Sequence, residues 1–301
     1  MILIQSYPAA ELAAAINTLK VNTGELACWW LGQAGFILKS ENTCCIIDPY
    51  LSDSLAVKYR AAKFKHQRMT PIPVAPEELT GLDGVLCTHH HSDHLDPGTL
   101  PALLEANPAA RLIAPRASLE RLEPMGLATA LSDPVNPQMK LSVGDFTITV
   151  IPASHETMET DRAGNYRFVG YLLEAANIRI YHSGDCIPFD SQAKLLRSLN
   201  TDLALLPING RDEIRSSNGI PGNFTVDEAI ELCNEADIEG LICHHFEMFD
   251  FNTIDRETAR QTLKQHAQSL QWLLPELETT YIIKPENLSI GDNHGKYHKT
   301  A

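Results

Sequence analysis

The chain has 301 residues, of which 44% are hydrophobic, so it can bury a large core and is neither a disordered protein nor a small disulfide scaffold. Its 24 Lys and Arg residues against 38 Asp and Glu residues give a formal net charge of −14, which argues against a general nucleic-acid-binding protein. No apolar run approaches the roughly 18 residues that a membrane-spanning helix needs.

The cysteines and the N-terminal residues of the sequence indicate in which cellular compartment the protein acts. Seven cysteines without a Cys-x-x-Cys pair, most of them in apolar runs, are typical of reduced and buried thiols. The opening Met-Ile-Leu-Ile has no basic region before it and no cleavage signature after it, unlike a secretion signal. We therefore predict a cytoplasmic protein, not inserted in a membrane, that acts on a small molecule. The sequence leaves its oligomeric state open, a homo-oligomer included.

The pattern of apolar residues predicts one domain over residues 1–301 with two similar halves, about 25–145 and 146–290. A helix over 8–20 precedes short strands at 27–31, 35–38 and 44–47. A polar, locally basic loop follows at 52–76 and lies either beside a site or simply in solvent. Strands and helices then alternate, with strands at 84–87, 111–114, 146–151, 168–174, 178–181, 203–206, 240–243 and 281–283, and helices near 100–106, 119–125, 192–199, 226–235 and 256–268. This order predicts an α/β fold of two sheets packed face to face with helices outside.

A histidine-rich segment follows the strand that ends near Cys87, and it reads His-His-His-Ser-Asp-His over residues 89–94. His89 and His91 alternate and can face one metal ion, while Asp93 and His94, about one turn later, can reach the opposite side of a cleft. His90 lies between them and is expected to face away, behind the ligands or in solvent. A solvated loop is the alternative, but such loops seldom follow an apolar strand so abruptly, and burying these groups without partners would cost several kcal/mol each.

Three further strand ends carry the same residue types. His155 follows the strand at 146–151, Asp185 follows the strand at 178–181 with Gly184 before it, and His244 and His245 follow the strand at 240–243. A site that holds two metal ions needs more ligands than residues 89–94 supply. Four strand ends that each deliver His or Asp therefore predict a metal centre far more specifically than any one of them.

These residues resemble a known ligand set. The pattern His89-x-His91-x-Asp93-His94 with His155, Asp185 and His245 is similar to that of the metallo-β-lactamase superfamily, whose fold is a four-layer αββα sandwich. Four segments resemble its L-ascorbate-6-phosphate lactonase branch, namely 29–32, 165–166, 181–185 and 245–249. That branch includes phosphodiester-cleaving relatives of the N-acyl-phosphatidylethanolamine phospholipase D type.

The resemblance implies a role for each residue. His89, His91 and His155 would hold a first metal ion, and Asp93, His94 and His245 a second, with Asp185 bridging them. His244 remains the alternative to His245, and otherwise it would stand behind the ligands. His182 is expected in the same supporting position, and Asp48 would hydrogen-bond a ligand histidine from behind.

The implied chemistry is hydrolysis by a hydroxide that two divalent ions generate at neutral pH. Asp93 would orient the hydroxide and accept its proton, and Asp185 would share in catalysis as the bridge. The ligands are nitrogen and oxygen only, so Mn²⁺, Zn²⁺ and Fe²⁺ are all compatible, and the resemblance favours Mn²⁺. No Gly-x-Ser-x-Gly segment offers a serine nucleophile instead.

For the substrate, the loop at 209–225 offers Arg211 and Arg215, which could bind a phosphate or carboxylate, or could form surface salt bridges with Asp212 or Glu213. Asn165 and Tyr166 are similar candidates. We predict a lactonase-like enzyme for a small, anionic sugar lactone, phosphorylated or not. A phosphodiesterase is the second hypothesis, and a metal-binding protein without activity is the third. Flavodiiron-type oxidoreductases carry Glu where His91 stands here, which argues against that class.

Overall fold

The computed structural model describes residues 2–286, so the end of the predicted C-terminal half, 287–290, lies outside the described residues. Within 2–286, eight strands form a first sheet in the spatial order β1-β15-β2-β3-β4-β5-β6-β7. They are β1 (Ile2–Pro8), β2 (Leu26–Trp30), β3 (Phe36–Lys39), β4 (Cys44–Ile47), β5 (Gly84–Leu86), β6 (Arg111–Pro115), β7 (Leu131–Val135) and β15 (Thr279–Pro285). The strands from β4 to β7 run parallel to one another, and the other neighbours are antiparallel.

Seven more strands of the described chain form a second sheet in the order β14-β13-β12-β11-β10-β9-β8. They are β8 (Lys140–Val143), β9 (Phe146–Pro152), β10 (Val169–Ala175), β11 (Ile178–His182), β12 (Leu203–Pro207), β13 (Gly240–His244) and β14 (Gln271–Leu273). Strands β11 to β14 are parallel, while β8, β9 and β10 form an antiparallel meander that leads into β11.

Eight α-helices lie within residues 2–286. They are α1 (Leu12–Thr18), α2 (Ser54–Lys58), α3 (Leu100–Ala106), α4 (Leu119–Leu122), α5 (Gln192–Ser198), α6 (Glu213–Ser217), α7 (Val226–Glu235) and α8 (Arg256–His266). Thr225 and Glu228 form a capping box that starts α7, and Asp255 caps α8. No helix of this part of the chain has the length and apolar character needed to cross a membrane.

Side-chain alternation along the strands explains the layers. In β2, Cys28 and Trp30 face the apolar core shared with the second sheet, whereas Ala27 and Trp29 face α1 and α3. Buried residues of α7 pack against β12 and β13 of the second sheet, and α8 packs against α7. The predicted sandwich of helices, two sheets and helices is therefore confirmed.

Some elements differ from the prediction. The helix α1 is shorter than 8–20, because the residues up to Pro8 form β1 and pair with β15 near the other end of the described chain. The strands β1, β7, β8 and β14 and the short helices α2 and α6 were not predicted. β15 lies in the first sheet and β8 in the second, so the sheets do not coincide with the halves 25–145 and 146–290.

Candidate active site

The predicted ligands converge at one edge of the sandwich. Residues 89–94 follow β5, His155 follows β9, Asp185 follows β11 and His245 directly follows β13. Parallel strands of one sheet end at the same edge, where ligand sites form in α/β proteins, so the ends of β11 and β13 in the second sheet lie side by side. The contact of His94 with Asp185 shows that the end of β5, in the first sheet, faces them. Residues far apart in the sequence are therefore brought within a few ångströms of each other.

Three histidines form a first triad, consisting of His89, His91 and His155, with one ring nitrogen of each within 4.8 Å of the others. His89 Nε2 lies 3.0 Å from His91 Nδ1. Nδ1 of His155 donates to the carbonyl oxygen of Gly222 at 3.0 Å, which leaves the lone pair on Nε2. Burial lowers the pKa of His155 to about 3 and also lowers the pKa values of His89 and His91, so the three rings are neutral and can bind a cation.

A second triad consists of Asp93, His94 and His245, again with candidate ligand atoms within 4.8 Å of one another. Oδ2 of Asp93 lies 3.7 Å from Nε2 of His94 and 3.7 Å from Nε2 of His245. Desolvation opposes ionisation of Asp93, but His94 and His245 outweigh it and lower the pKa of this carboxyl. Asp93 is therefore a carboxylate that faces two imidazole nitrogens.

Asp185 lies between the two triads. Its Oδ1 is 3.3 Å from Nε2 of His94, and its Oδ2 is 3.2 Å from Nε2 of His245 and 3.6 Å from Nε2 of His155. Among residues 2–286, both Oδ1 of Asp185 and Nε2 of His94 are buried without a hydrogen-bond partner. Buried polar atoms of a native protein rarely lack partners, so a metal ion fits this position as the missing one.

The charges agree with that fit. Burial opposes a charge on His94, yet Asp185, Asp48 and Asp93 raise the pKa of this imidazole well above its usual range. Burial also opposes the charge on Asp185, but His245 and His94 hold its pKa well below the usual range. The cluster thus requires positive charge at its centre, which a divalent cation would supply.

Asp48 holds this arrangement from behind. Its Oδ2 accepts hydrogen bonds from Nδ1 of His94 at 2.7 Å and from the Thr88 hydroxyl at 2.6 Å, while its Oδ1 accepts from Thr88 N at 2.7 Å. A carboxylate behind a ligand histidine fixes the ring orientation and leaves Nε2 free for a metal. Asp48 also comes close enough to His89 and His94 to be considered as a ligand, but its oxygens already accept these three bonds.

The two remaining predicted histidines have packing roles in the structure. His182 contacts the carbonyl oxygen of Ala34 through Nε2 at 2.9 Å and accepts from Gly184 N through Nδ1 at 3.0 Å. His244 stacks on His182 with ring centroids 5.0 Å apart, and neither of its nitrogens has a hydrogen-bond partner in the described chain. It is therefore His245, with a left-handed φ of 60°, that faces Asp93 and Asp185.

Gly184 allows the Asp185 loop to approach the histidine segment. Its φ is 63°, in the left-handed region, and a Cβ atom there would lie 2.7 Å from Cβ of Thr88. Glycine is the one residue type without this clash. The backbone before Asp185 can thus pack directly on the residue before His89.

A cavity of about 530 Å³ opens over the cluster. Its floor includes His91, Asp93, His155, Asp185 and His245. Three cations, Lys58, Lys63 and Arg121, also line it, and one wall is aromatic, formed by Tyr59, Phe64, His66, Phe249 and Phe251. Among the described lining residues, the acidic ones are Asp93 and Asp185, so the space above the cluster suits an anion.

His90 also lines this cavity and belongs to neither triad, and burial lowers its pKa to about 4. The basic loop predicted at 52–76 supplies Lys58, Lys63 and His66 to the cavity. The loop therefore lies beside the site, which was one of the two alternatives predicted for it.

The four residues predicted to contact the substrate have other partners in the structure, and the cavity lining of the described chain does not include them. Arg211 forms a bidentate ion pair with Glu228, and Arg215 pairs with Asp212. Asn165 binds Asp161 and Asn136, and the backbone N–H of Tyr166 donates to Asn136. The Arg215–Asp212 pair is the salt bridge considered above as the alternative, whereas the partner of Arg211 is Glu228 instead of Asp212 or Glu213.

The sequence interpretation missed Gln33, which lies in the turn between β2 and β3. Its side-chain nitrogen is 2.8 Å from Oδ2 of Asp93 and 2.9 Å from Nε2 of His245. Gln33 is 1% exposed. The available signal was that Gln33 is the one polar residue of an otherwise apolar stretch that includes Trp29, Trp30 and Phe36.

Comparisons with known proteins show the family of this chain. Residues 43–246 match the family model of the β-lactamase superfamily domain, and this segment contains every ligand candidate of the two triads and Asp185. A UPF0173 metal-dependent hydrolase of Myxococcus xanthus is 31% identical over 214 residues, which cover 68% of this chain and 69% of the relative. The probable L-ascorbate-6-phosphate lactonase of Salmonella gallinarum is 24% identical over 289 residues, which cover 86% and 80% of the two chains.

Solved structures show the same fold. The metallo-β-lactamase fold protein YhfI of Bacillus subtilis matches with a TM-score of 0.60 at 17% identity, over 86% of this chain and 99% of that one. An isothiocyanate hydrolase from Delia radicum gut bacteria matches with a TM-score of 0.66 at 18% identity, over 84% and 97% of the two chains. The cluster of His and Asp residues described above is able to bind metal. The chain belongs to the family defined by the β-lactamase superfamily domain and is a metal-dependent hydrolase.

Proposed function

We propose that this protein is a lactonase that hydrolyses a small anionic sugar lactone with the aid of two divalent metal ions. The observation that carries the proposal is the pair of triads on either side of Asp185, beneath a cavity with cations on its wall. One triad supplies three neutral imidazoles, and the other supplies two imidazoles and a carboxylate. Each set is sufficient for one ion.

The donor atoms limit the choice of metal. They are imidazole nitrogens and carboxylate oxygens, without a thiolate, because the seven cysteines are buried thiols outside the triads. Such ligands are compatible with Mn²⁺, Zn²⁺ and Fe²⁺. Among these ions we propose Mn²⁺, the ion that the resemblance described in the sequence analysis implies, with Zn²⁺ as the next choice.

Two divalent ions, when bound, would activate a water molecule near neutral pH and stabilise negative charge that develops on the substrate. Asp185 would hold the two triads at a fixed separation, since its two oxygens face His94 on one side and His155 and His245 on the other. Asp93 faces the cavity as a carboxylate, so it can accept the proton of the attacking water. It can return that proton to the alkoxide that leaves when the lactone C–O bond breaks.

The cavity wall supports an anionic, ring-shaped substrate. Lys58 and Arg121 place positive charge around the opening, and the aromatic wall offers flat faces for a sugar ring. The cavity volume of about 530 Å³ is within the usual range for small-molecule sites. A phosphodiester is the second candidate, because the same cations would also bind its phosphate.

The test is a comparison of substrates on protein loaded with Mn²⁺ or Zn²⁺. L-ascorbate-6-phosphate, an uncharged lactone and a simple phosphodiester are supplied under identical conditions. We expect the phosphorylated lactone to have the highest kcat/KM. Preferential cleavage of the phosphodiester would establish the second candidate instead, and a metal-loaded protein that cleaves none of the three would contradict the proposed activity.

Replacing the cations should weaken substrate binding. We expect Lys58→Ala and Arg121→Ala each to raise KM for the phosphorylated lactone about tenfold with little change in kcat, because both residues contact a part of the substrate that does not react. The uncharged lactone should be affected much less. The matched control is Lys65→Ala, because Lys65 lies in the 52–76 loop with Lys58 but does not line the cavity. Equal KM values for all three variants and the wild type would exclude these cations from substrate binding.

A further inference from the structure

Gln33 has an unusual backbone for its residue type. Its φ is 51°, in the left-handed region that glutamine seldom adopts. The Gln33 carbonyl oxygen accepts from Nε1 of Trp30 at 3.0 Å and from the backbone N–H of His245 at 2.9 Å. The bond from His245 connects the β2–β3 turn directly to a predicted metal ligand. The turn is thus held in a conformation that aims the Gln33 side chain at the second triad.

The carboxamide of Gln33 reaches that triad but is only half satisfied. Nε2 contacts Asp93 and His245 at 2.8 and 2.9 Å, whereas Oε1 is buried and has no hydrogen-bond partner in residues 2–286. The two ends of a carboxamide have the same shape, and a half-turn of the group exchanges them. After that half-turn the oxygen would occupy the position next to Asp93 and His245.

These distances match those between ligands of one metal ion. Oxygen and nitrogen ligands bind at about 2.0–2.2 Å, so neighbouring ligand atoms lie about 2.8 Å apart at right angles and about 3.6 Å apart at a tetrahedral angle. His245 lies 3.2 Å from Asp185 and 3.7 Å from Asp93, and the end of the Gln33 side chain is at 2.8 and 2.9 Å from the second triad. Gln33 therefore stands where a further ligand of the ion held by Asp93, His94 and His245 would stand.

We propose that Gln33 is an additional ligand of this ion and presents Oε1 to it. The inference rests on the proposed two-metal site, but it concerns a residue outside the two triads and Asp185. A neutral amide oxygen is a ligand that suits Mn²⁺ better than softer metals, so Gln33 would bias the second triad toward Mn²⁺. The alternative role is that the amide donates to Asp93 and binds no metal.

The two roles differ in what a glutamate at this position would do. Glutamate has the same shape and offers a charged oxygen ligand, but it cannot donate a hydrogen bond to Asp93. A metal ligand is therefore preserved or strengthened in Gln33→Glu. A hydrogen-bond donor is lost in that variant, and its charge would repel Asp93.

The experiment measures Mn²⁺ and Zn²⁺ binding to the full chain after metal removal, by calorimetric titration and elemental analysis. We expect Gln33→Ala to weaken binding of one of two Mn²⁺ ions at least tenfold, with a smaller loss for Zn²⁺, and Gln33→Glu to bind as tightly as the wild type or more tightly. Gln192→Ala is the matched control, since Gln192 is also buried with an unpartnered Oε1 but lies on α5. Thermal unfolding of the metal-free variants checks that each one folds.

Two results would overturn the inference. One is a folded Gln33→Ala variant that binds two Mn²⁺ ions with wild-type affinity. The other is a Gln33→Glu variant that binds Mn²⁺ as weakly as Gln33→Ala, which would establish the donor role. A wild-type chain that binds no metal would instead contradict the proposed two-metal function, so the two failures are distinguishable.

Discussion

Asp185→Asn should reduce hydrolysis by at least about 10³-fold while the protein remains folded. Asp185 is the residue whose oxygens face both triads, at 3.2 Å from His245, 3.3 Å from His94 and 3.6 Å from His155. Asparagine keeps the shape of the side chain but removes its charge and replaces one oxygen by an N–H donor, which cannot bind a cation. The variant should therefore bind the metal ions more weakly and no longer hold them in the correct position.

The measurement is kcat/KM for the best substrate together with the metal content of the purified variant. Asp190→Asn, an exposed aspartate in the loop that follows, is the matched control and should keep wild-type activity. Circular dichroism shows whether the fold is retained. A folded Asp185→Asn variant with wild-type kcat/KM would mean that Asp185 does not join the two triads.

Removal of the metal should abolish activity and lower the unfolding temperature. Without a cation, the carboxylates of Asp48, Asp93 and Asp185 are balanced within the cluster by an imidazolium at His94, whose pKa they raise. An ion that binds only the folded state stabilises it by about 2.7 kcal/mol at a concentration 100-fold above Kd. For a protein of this size, that free energy corresponds to a rise in Tm of about 5 °C for each ion.

The experiment compares chelator-treated protein with the same sample after Mn²⁺ is restored. Activity and Tm should fall together and recover together. Elemental analysis must first show that the treated sample is free of metal. A metal-free sample that keeps its activity, or whose Tm does not change when Mn²⁺ is added, would show that the cluster does not use a metal in this way.

The metal-ligand candidates could be predicted because their signals are local. His89, Asp185 and His245 each follow an apolar strand within a few residues. Polar metal-binding side chains directly after apolar strands are typical of sites at the carboxyl ends of strands in α/β proteins. The choice between His244 and His245 needed the structure. Backbone direction after β13 decides which ring faces Asp185, and the left-handed φ of His245 is not encoded in the residue type.

The substrate contacts and some strands could not be predicted, because they depend on long-range partners. Arg211 pairs with Glu228, which lies 17 positions later on another element, and nothing near Arg211 signals that contact. Likewise β1 pairs with β15 near the other end of the described chain. Gln33 joins the site through a turn and two hydrogen bonds to its carbonyl oxygen, and such contacts leave no periodic pattern in a sequence.

The most direct test of the two-metal site is a crystal structure of the Mn²⁺-loaded protein with anomalous data at the manganese absorption edge. We expect two anomalous peaks, one among His89, His91 and His155 and one among Asp93, His94 and His245, both in contact with Asp185. A single peak, no peak, or peaks away from these residues in a protein loaded with Mn²⁺ would contradict the two-metal site.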